Sequence, residues 1–415
     1  MVVKRMSKLE ELIAELCPDG VEYYQLGELG KFYSGLTGKS KSDFVGGNAK
    51  FITYRNVYSN PALKVDIDDT VKIGVEEKQR TLEYGDVIFT GSSETEDECG
   101  MSSVLNIKTD EKLYLNSFCF IFRFNNPSIM LPDFSKHLFR SSNLRYQIGK
   151  TASGVTRYNV SKTLMEKVVV PVPPLEVQRE IVRVLDSFTL LTAELTAELT
   201  ARKQQYDYYR ESLLTFNQDV KMKKLGEEFP FIRNGFVGTV TPYFTNEEEG
   251  VRYLRGTNIH NGVISDSETE YVTKDFHKKH IRNELKADDI VMVQSGHVGE
   301  CAVVGEEYAG ANCHALIIMS NGGQCNSKFF VYYFQTHEGK KKLKAITTGG
   351  TVKHILASQM KKILVPVLTL EEQNRIVTIL DRFDTLCNDI SNGLPAEIDA
   401  RQKQYEYYRD KLLSF

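Results

Sequence analysis

From Glu176 to Thr215 the chain has no proline or glycine. Apolar residues fall at Ile181, Leu185, Phe188, Leu191, Leu195, Leu199, Tyr206, Tyr209, Leu213 and Phe216. Steps of three, four or seven put these residues on one stripe of a helix. A forty-residue helix extends about 60 Å, longer than a lone globular helix, so the stripe needs a partner along its length. The pattern elsewhere is different. Short apolar runs such as Asp86-Val87-Ile88-Phe89, Phe118-Cys119-Phe120-Ile121-Phe122, Asp289-Ile290-Val291-Met292-Val293 and Ala315-Leu316-Ile317-Ile318-Met319 sit between glycine-rich turns. Those read as strands.

The helical pattern occurs twice. Leu175-Glu176-Val177-Gln178-Arg179-Glu180-Ile181 returns 195 positions later as Leu370-Glu371-Glu372-Gln373-Asn374-Arg375-Ile376. Ala201-Arg202-Lys203-Gln204-Gln205-Tyr206-Asp207-Tyr208-Tyr209-Arg210 returns 199 positions later as Ala400-Arg401-Gln402-Lys403-Gln404-Tyr405-Glu406-Tyr407-Tyr408-Arg409. The difference of four residues is about one helical turn. Thr192-Ala193-Glu194-Leu195 is itself repeated as Thr196-Ala197-Glu198-Leu199. At the corresponding place the second copy has Asn392-Gly393-Leu394-Pro395, which predicts a break or kink. The strand-rich stretches open alike, at Leu26-Gly27-Glu28 and Leu225-Gly226-Glu227. They close alike, at Val168-Val169-Val170-Pro171 and Ile363-Leu364-Val365-Pro366.

The expected fold is therefore α+β (mixed α/β): two globular domains separated by a pair of long antiparallel helices, with a pseudo-two-fold internal repeat. The boundaries are an N-terminal helix at 1–20, a first domain at 21–173, a central helix at 174–216, a second domain at 217–368 and a C-terminal helix at 369–415. The N-terminal helix is expected to pack near the chain's end, as a circularly arranged repeat requires.

The whole chain has 415 residues, 41% of them hydrophobic and 26% charged, with a formal net charge of -3. That length suits two or three domains, and the composition argues against disorder. No apolar window is long enough for a membrane span, and the first residues lack an apolar signal core, so the expected location is cytoplasmic, with no membrane partner. Seven cysteines, scattered singly, form neither a disulfide framework nor a convincing metal site. Gly38-Lys39-Ser40 lacks the glycine a phosphate-binding loop needs five residues before Gly38, where Tyr33 stands. Hydrolase, zinc-protease and dinucleotide-binding motifs are missing too. The chain reads as a non-catalytic reader or scaffold.

Basic residues cluster at one place in both copies: Lys136, Arg140, Arg145, Lys150, Arg157, Lys162 and Lys167 in the first, and Lys340, Lys341, Lys342, Lys344, Lys353, Lys361 and Lys362 in the second. Neutralising phosphates is the general source of affinity for nucleic acid, and base-edge contacts add specificity. Amphipathic helices with solvated lysines give the same pattern. Polar residues near glycine loops or in these clusters are the candidate DNA contacts. In the first domain they are Thr37, Lys39, Lys41, Arg55, Arg145, Arg157 and Tyr158. In the second they are Thr241, Arg255, Asn258, Gln294, His297, Lys344 and Lys353. A second set is retained by both helices: Gln178, Arg202, Tyr206, Tyr209 and Arg210, with Gln373, Arg401, Tyr405, Tyr408 and Arg409. A surface kept twice suggests two identical partners, one on each copy. The competing reading is that the tyrosines pack the helix pair.

The helix motifs, together with Pro174-Leu175-Glu176-Val177-Gln178 and the run from Asn392 to Ile398, resemble the specificity subunit of type I restriction-modification systems over essentially the whole chain. The Thr-Ala-Glu-Leu tandem resembles the spacer of the type IC branch. Thr239-Val240-Thr241-Pro242 fits the family's usual start of a recognition domain, whereas Gly35-Leu36-Thr37-Gly38 lacks the proline. The resemblance implies two target-recognition domains, each reading half of a bipartite asymmetric sequence in double-stranded DNA. It implies two adenine-methylating modification subunits docked on the helices, with ATP-driven restriction subunits added. S-adenosylmethionine, ATP and magnesium would belong to those partners, leaving no cofactor on this chain. A coiled-coil scaffold that binds only protein, and an enzyme with unfamiliar motifs, are the other classes the residues allow.

Overall fold

The computed structural model describes residues 7–216, 220–350, 353–389 and 391–415. Residues 1–6 of the N-terminal segment and residue 217, the expected start of the second domain, lie outside them. The chain divides into two compact units, residues 1–196 with 397–415, and residues 197–396. Each expected domain falls within one unit, and the helix between them is shared.

The first unit is built on an antiparallel sheet in the order Gly30–Ser34, Cys119–Phe124, Val87–Thr90, Ser102–Val104. The second repeats that order with Phe231–Asn234, Leu316–Ser320, Ile290–Val293 and Cys301–Val303. The central strands are apolar at successive positions because both faces of the sheet are covered. Val87, Phe89, Phe120 and Phe122 join one core, while Ile88, Cys119 and Ile121 join another. Ile290, Met292, Ile317 and Met319 likewise separate from Val291, Val293, Leu316 and Ile318. Full burial of such a side chain contributes about 1.5–3 kcal/mol.

Helices cover one face: Pro132–Leu138 and Ser142–Gly149 in the first unit, Ser327–Gln335 and His337–Ile346 in the second. A smaller sheet lies in each domain, with a parallel pair between Ala49–Ile52 and Leu113–Leu115, and between Gly250–Leu254 and Asn312–Cys313. The matched ends of the two domains form antiparallel ladders, Tyr23–Gln25 on Val169–Pro171 and Met222–Lys224 on Leu364–Pro366.

The central helix is unbroken from Leu175 to Leu214. The second copy is two helices, Leu370–Asn388 and Leu394–Leu412. The break lies where Gly393 and Pro395 predicted it. The Asp389 carboxylate accepts from the backbone N–H of Ser391 and Asn392 there (2.7 and 3.1 Å), and Pro395 falls in the first turn of the following helix, where its missing donor costs nothing.

Within each unit the two copies pack on one another. In the first, the Phe188 ring stacks on Tyr408 at 5.3 Å and 16°. In the second, the equivalent Phe383 stacks on Tyr209 at 5.3 Å and 26°. Cys387, one turn beyond Phe383, feels the charges of Lys203 and Arg202, nearly two turns before Tyr209, so the pair runs antiparallel. The N-terminal helix Lys8–Leu16 starts with a reciprocal Ser7–Glu10 cap and shares a core with Leu412, Leu413 and Phe415. Tyr23 Oη donates to the Phe415 carbonyl (3.0 Å), which brings the chain's end to the start of the first domain.

All seven cysteines are buried and unbonded. Burial pushes the thiols of Cys119, Cys313 and Cys325 up to about 12, which leaves them unreactive. Among the described residues no helix is long and apolar enough to cross a membrane, and no His/Cys/Asp/Glu group could hold a metal ion.

Candidate nucleic-acid interface

The candidate contacts gather mainly on loops at the ends of the strands and on the helices beside the sheet. The first-domain loop after Gly30–Ser34 requires glycine at 35, because a Cβ there would lie 2.1 Å from the Asn116 carbonyl oxygen. Thr37 is exposed, and its backbone exchanges two hydrogen bonds with the Gln79 side chain (3.2 and 2.8 Å). Lys41 and Arg55 are exposed as well.

Lys39 is not exposed. Its ammonium pairs with Glu77 and donates to the Lys72 carbonyl, both at 2.5 Å, and only 9% of the side chain reaches solvent. The bond from Lys39, with others from Gly74 and Gln79, holds the Glu77 carboxyl down at about 2. Lys39 clamps two loops and leaves no free charge for a phosphate.

Arg145 is a second correction. It donates to the carbonyls of Gly100, Cys99 and Asp97 (2.6, 2.6 and 2.8 Å), and burial lowers its pKa. Its neighbour Arg140 bonds the carbonyls of Ser102, Val57 and Tyr58 and is pushed down to about 10 by burial. Lys136 is tied to Asp133 and Asp186. Three of the seven residues of the first basic cluster, Lys136, Arg140 and Arg145, are therefore spent inside their own domain, while Lys150, Arg157 and Lys167 are exposed, as are Lys340, Lys341, Lys344 and Lys353 in the second unit.

In the second domain Thr241 and His297 are exposed. Arg255 pairs with Glu270 at 2.5 Å and lies over the Phe244 ring. Asn258 is 2% exposed; its carboxamide accepts from Arg255 N–H (2.8 Å) and donates to the carbonyls of Ser265 and Ser267. That side chain builds a loop and cannot reach a base. Gln294 is buried at the end of Ile290–Val293, its backbone bonded to Ala315 and Ile355.

Arg157 is exposed, and Nε and Nη2 both donate to Ser92 Oγ (3.1 and 2.9 Å). Tyr158 begins the strand that pairs with Ser92–Ser93. Beside Arg157 a cleft of about 570 Å³ is lined by Tyr54, Tyr58, Phe118, Glu94 and Glu98 as well. None of these five was legible as a candidate, because the elements that bring them together are far apart in sequence. Phe118, read in sequence as part of a strand, in fact stands just before Cys119–Phe124 and is 58% exposed.

The helix set divides. Gln178 is fully buried: Oε1 accepts from Leu131 N–H (2.8 Å), and Nε2 donates to the carbonyls of Pro173 and Ile129 (2.8 and 3.0 Å). Gln373 repeats this with Asn326 N–H and the Leu368 carbonyl (2.8 and 3.1 Å). Both fasten their own domain to their own helix, so neither offers a group to a partner. Tyr405 and Tyr206 are buried too (7% and 5% exposed). Tyr405 Oη bonds His137 Nδ1, and His137 Nε2 bonds Asp186, both at 2.8 Å. Tyr206 packs in the second core, where Tyr332 donates to Asp381 (2.6 Å).

Packing thus accounts for those four. Tyr209 and Tyr408 stack on phenylalanines with one edge outward. Arg202 and Arg401 each bond the glutamate four residues before and the glutamine three residues after. Arg210 and Arg409 pair with Asp207 and Asp410. The fully outward rings are Tyr208 and Tyr407, 68% and 61% exposed, which the repeat itself could have flagged.

A family model described as the type I restriction modification DNA specificity domain matches residues 18–202 and again 217–400. The Escherichia coli type I restriction enzyme EcoR124I/EcoR124II specificity subunit is 35% identical over 273 residues, covering 62% of this chain and 65% of that protein. The EcoprrI specificity subunit, also from Escherichia coli, is 32% identical over 242 residues, covering 53% and 52%. The chain thus spans between half and two thirds of these relatives. Among solved structures, the HsdS subunit from Thermoanaerobacter tengcongensis aligns with a TM-score of 0.54 at 16% identity, covering 95% of this chain and 97% of that one. A chain from a structure concerned with assembly and conformational transition of the type I system aligns with 0.63 at 16%, covering 95% and 98%. Those two likenesses concern the fold.

Proposed function

Because the chain belongs to the family of type I restriction-modification DNA specificity subunits, we propose that it reads a bipartite, asymmetric double-stranded DNA target, one half through each domain. Two adenine-methylating modification subunits dock on its paired helices, and ATP-dependent restriction subunits join that core. The chain performs no chemistry itself. S-adenosylmethionine, ATP and magnesium act on the partner subunits, and the cell interior is where such a complex meets DNA.

The observation that carries this reading is the duplication of the mechanical parts. Each unit has the same sheet order, the same buried glutamine joining domain to helix, and the same Phe–Tyr stack between helices. One chain so built offers two reading heads and two equivalent helical surfaces, with Tyr208 and Tyr407 outward on each. Placement in the type IC branch rests on the Thr-Ala-Glu-Leu tandem.

The test is methylation mapping in cells that express this chain with its modification subunit. Adenine methylation at two short specified sequences separated by unspecified bases is expected. A single uninterrupted recognition sequence, or recruitment of one modification subunit per chain, would overturn the reading.

A further inference from the structure

The acidic loop Glu94–Glu98 sits where a polyanion-binding surface would ordinarily avoid carboxylates, and the cleft beside it gives those acids a use. One cation, Arg157, and two carboxylates, Glu94 and Glu98, line this cleft, yet Arg157 and Glu98 form no ion pair with one another among the described residues. Each is held by a neighbouring serine instead. Arg157 is fixed through Nε and Nη2 on Ser92 Oγ, which leaves Nη1 and the second hydrogen of Nη2 as a free parallel pair of donors. The exposed Phe118 ring lies 5.9 Å from the guanidinium carbon. Glu98 accepts from Tyr58 Oη (2.8 Å) and from Ser93 Oγ (3.3 Å). The Tyr58 bond, followed by those from Thr95 and Ser93, keeps its carboxyl below the usual range and therefore ionised. Tyr58 is itself stacked on Tyr54, whose hydroxyl is anchored on the Ser92 carbonyl (2.9 Å).

Ser92 and Ser93 are consecutive, so their Cα atoms lie about 3.8 Å apart. Arg157 and Glu98 line the same cleft, so a fixed fork of donors and a fixed acceptor are presented to one occupant. A phosphate fits badly, since the carboxylate repels it. A base edge fits well. In the major groove guanine shows two acceptors, N7 and O6, and its cytosine partner shows the 4-amino donor. An A·T pair offers no such double acceptor on one base.

Resting on the reading of the chain as a specificity subunit, we propose that Arg157 and Glu98 together read one G·C base pair of the half-site bound by the first domain. Arg157 donates to guanine N7 and O6, and Glu98 accepts from the cytosine 4-amino group. In the second unit Ser295, which follows the corresponding central strand, is engaged by His354 (2.6 Å), so this reading device belongs to the first domain.

The experiment starts from the target fixed by methylation mapping. The purified complex of full chain and modification subunits, wild type, Glu98→Gln or Arg157→Ala, is titrated against duplexes in which each pair of the first half-site is replaced in turn. Wild type is expected to lose tenfold or more in affinity when one particular G·C pair becomes A·T. Both variants are expected to lose discrimination at that same pair while keeping it at the other positions and throughout the second half-site, which also shows that they are folded. A first half-site without a G·C pair, unchanged discrimination in either variant, or uniform weakening on every duplex would overturn the proposal. A wild-type complex with no sequence preference at all would overturn the specificity reading on which it rests.

Discussion

Gln178 and Gln373 show how a repeated polar residue can be structural. Each spends its carboxamide on backbone groups at the start of a domain helix. Replacing Gln178 by Ala would strand the Leu131 N–H and two carbonyls. A loss of about 1–3 kcal/mol is expected, read as a lowered urea midpoint, with a similar loss for Gln373→Ala. His137 permits a second prediction. It is buried between Tyr405, Asp186 and Lys136, and burial, the dominant cause, lowers its pKa below 6.5 despite the Asp186 bond. The unfolded chain takes up a proton near pH 6.5 that the folded chain refuses, so stability is complete above that pH and falls below it. Asp186, whose pKa is also lowered, adds acid lability only below the ordinary carboxylate range. Urea midpoints at pH 7.5 and 5.5 should therefore diverge less in His137→Gln than in wild type. Gln178 and Gln373 looked exposed in sequence because polar type is a poor guide to burial once a side chain meets unpaired backbone groups. Retention in both copies preserves an internal network as faithfully as it preserves a surface.

At the scale of elements, the central helix and its broken copy were legible, since periodicity and the Gly393–Pro395 punctuation are local facts. So were the buried central strands and the likeness of the two domain ends, though not that those ends pair as ladders. The inward turn of Arg140 and Arg145 was not: their acceptors are carbonyls some forty to eighty residues away in sequence. In the second unit Lys340, Lys341, Lys344 and Lys353 stay outward while Lys342 bonds Tyr333 and the Leu364 carbonyl, a difference that charge alone does not register. The break at Gly393 makes its own prediction. A Cβ there would lie 2.5 to 2.9 Å from the carbonyl oxygens of Thr385, Asp389 and Leu386. Gly393→Ala must displace backbone, and a loss of about 1–3 kcal/mol is expected, measurable as a drop in the thermal midpoint. An unchanged midpoint would show that the turn adapts freely.

At the scale of the whole molecule, the repeat is what made the architecture readable, and the target is what it left open. The two domains share a sheet and a connection but few loop residues, so no rule carries from one reading surface to the other. Under the proposed bipartite reading, the spacing between the half-sites is a length, which the helices could set. If the helices set that spacing, removing Thr196–Leu199, one unit of the tandem, takes out about 6 Å of helix and turns the remainder of the helix by about 40°. At about 3.4 Å per base pair that is a gap shorter by about two base pairs, with both half-sites unchanged. The seam survives such a cut better than a deletion of one, two, three, five or six residues, because four residues return the apolar stripe to within about 40° of its own face. Methylation mapping of cells carrying the deletion reads the gap directly. An unchanged gap would mean that the central helix holds the domains without measuring the distance between the sequences they read.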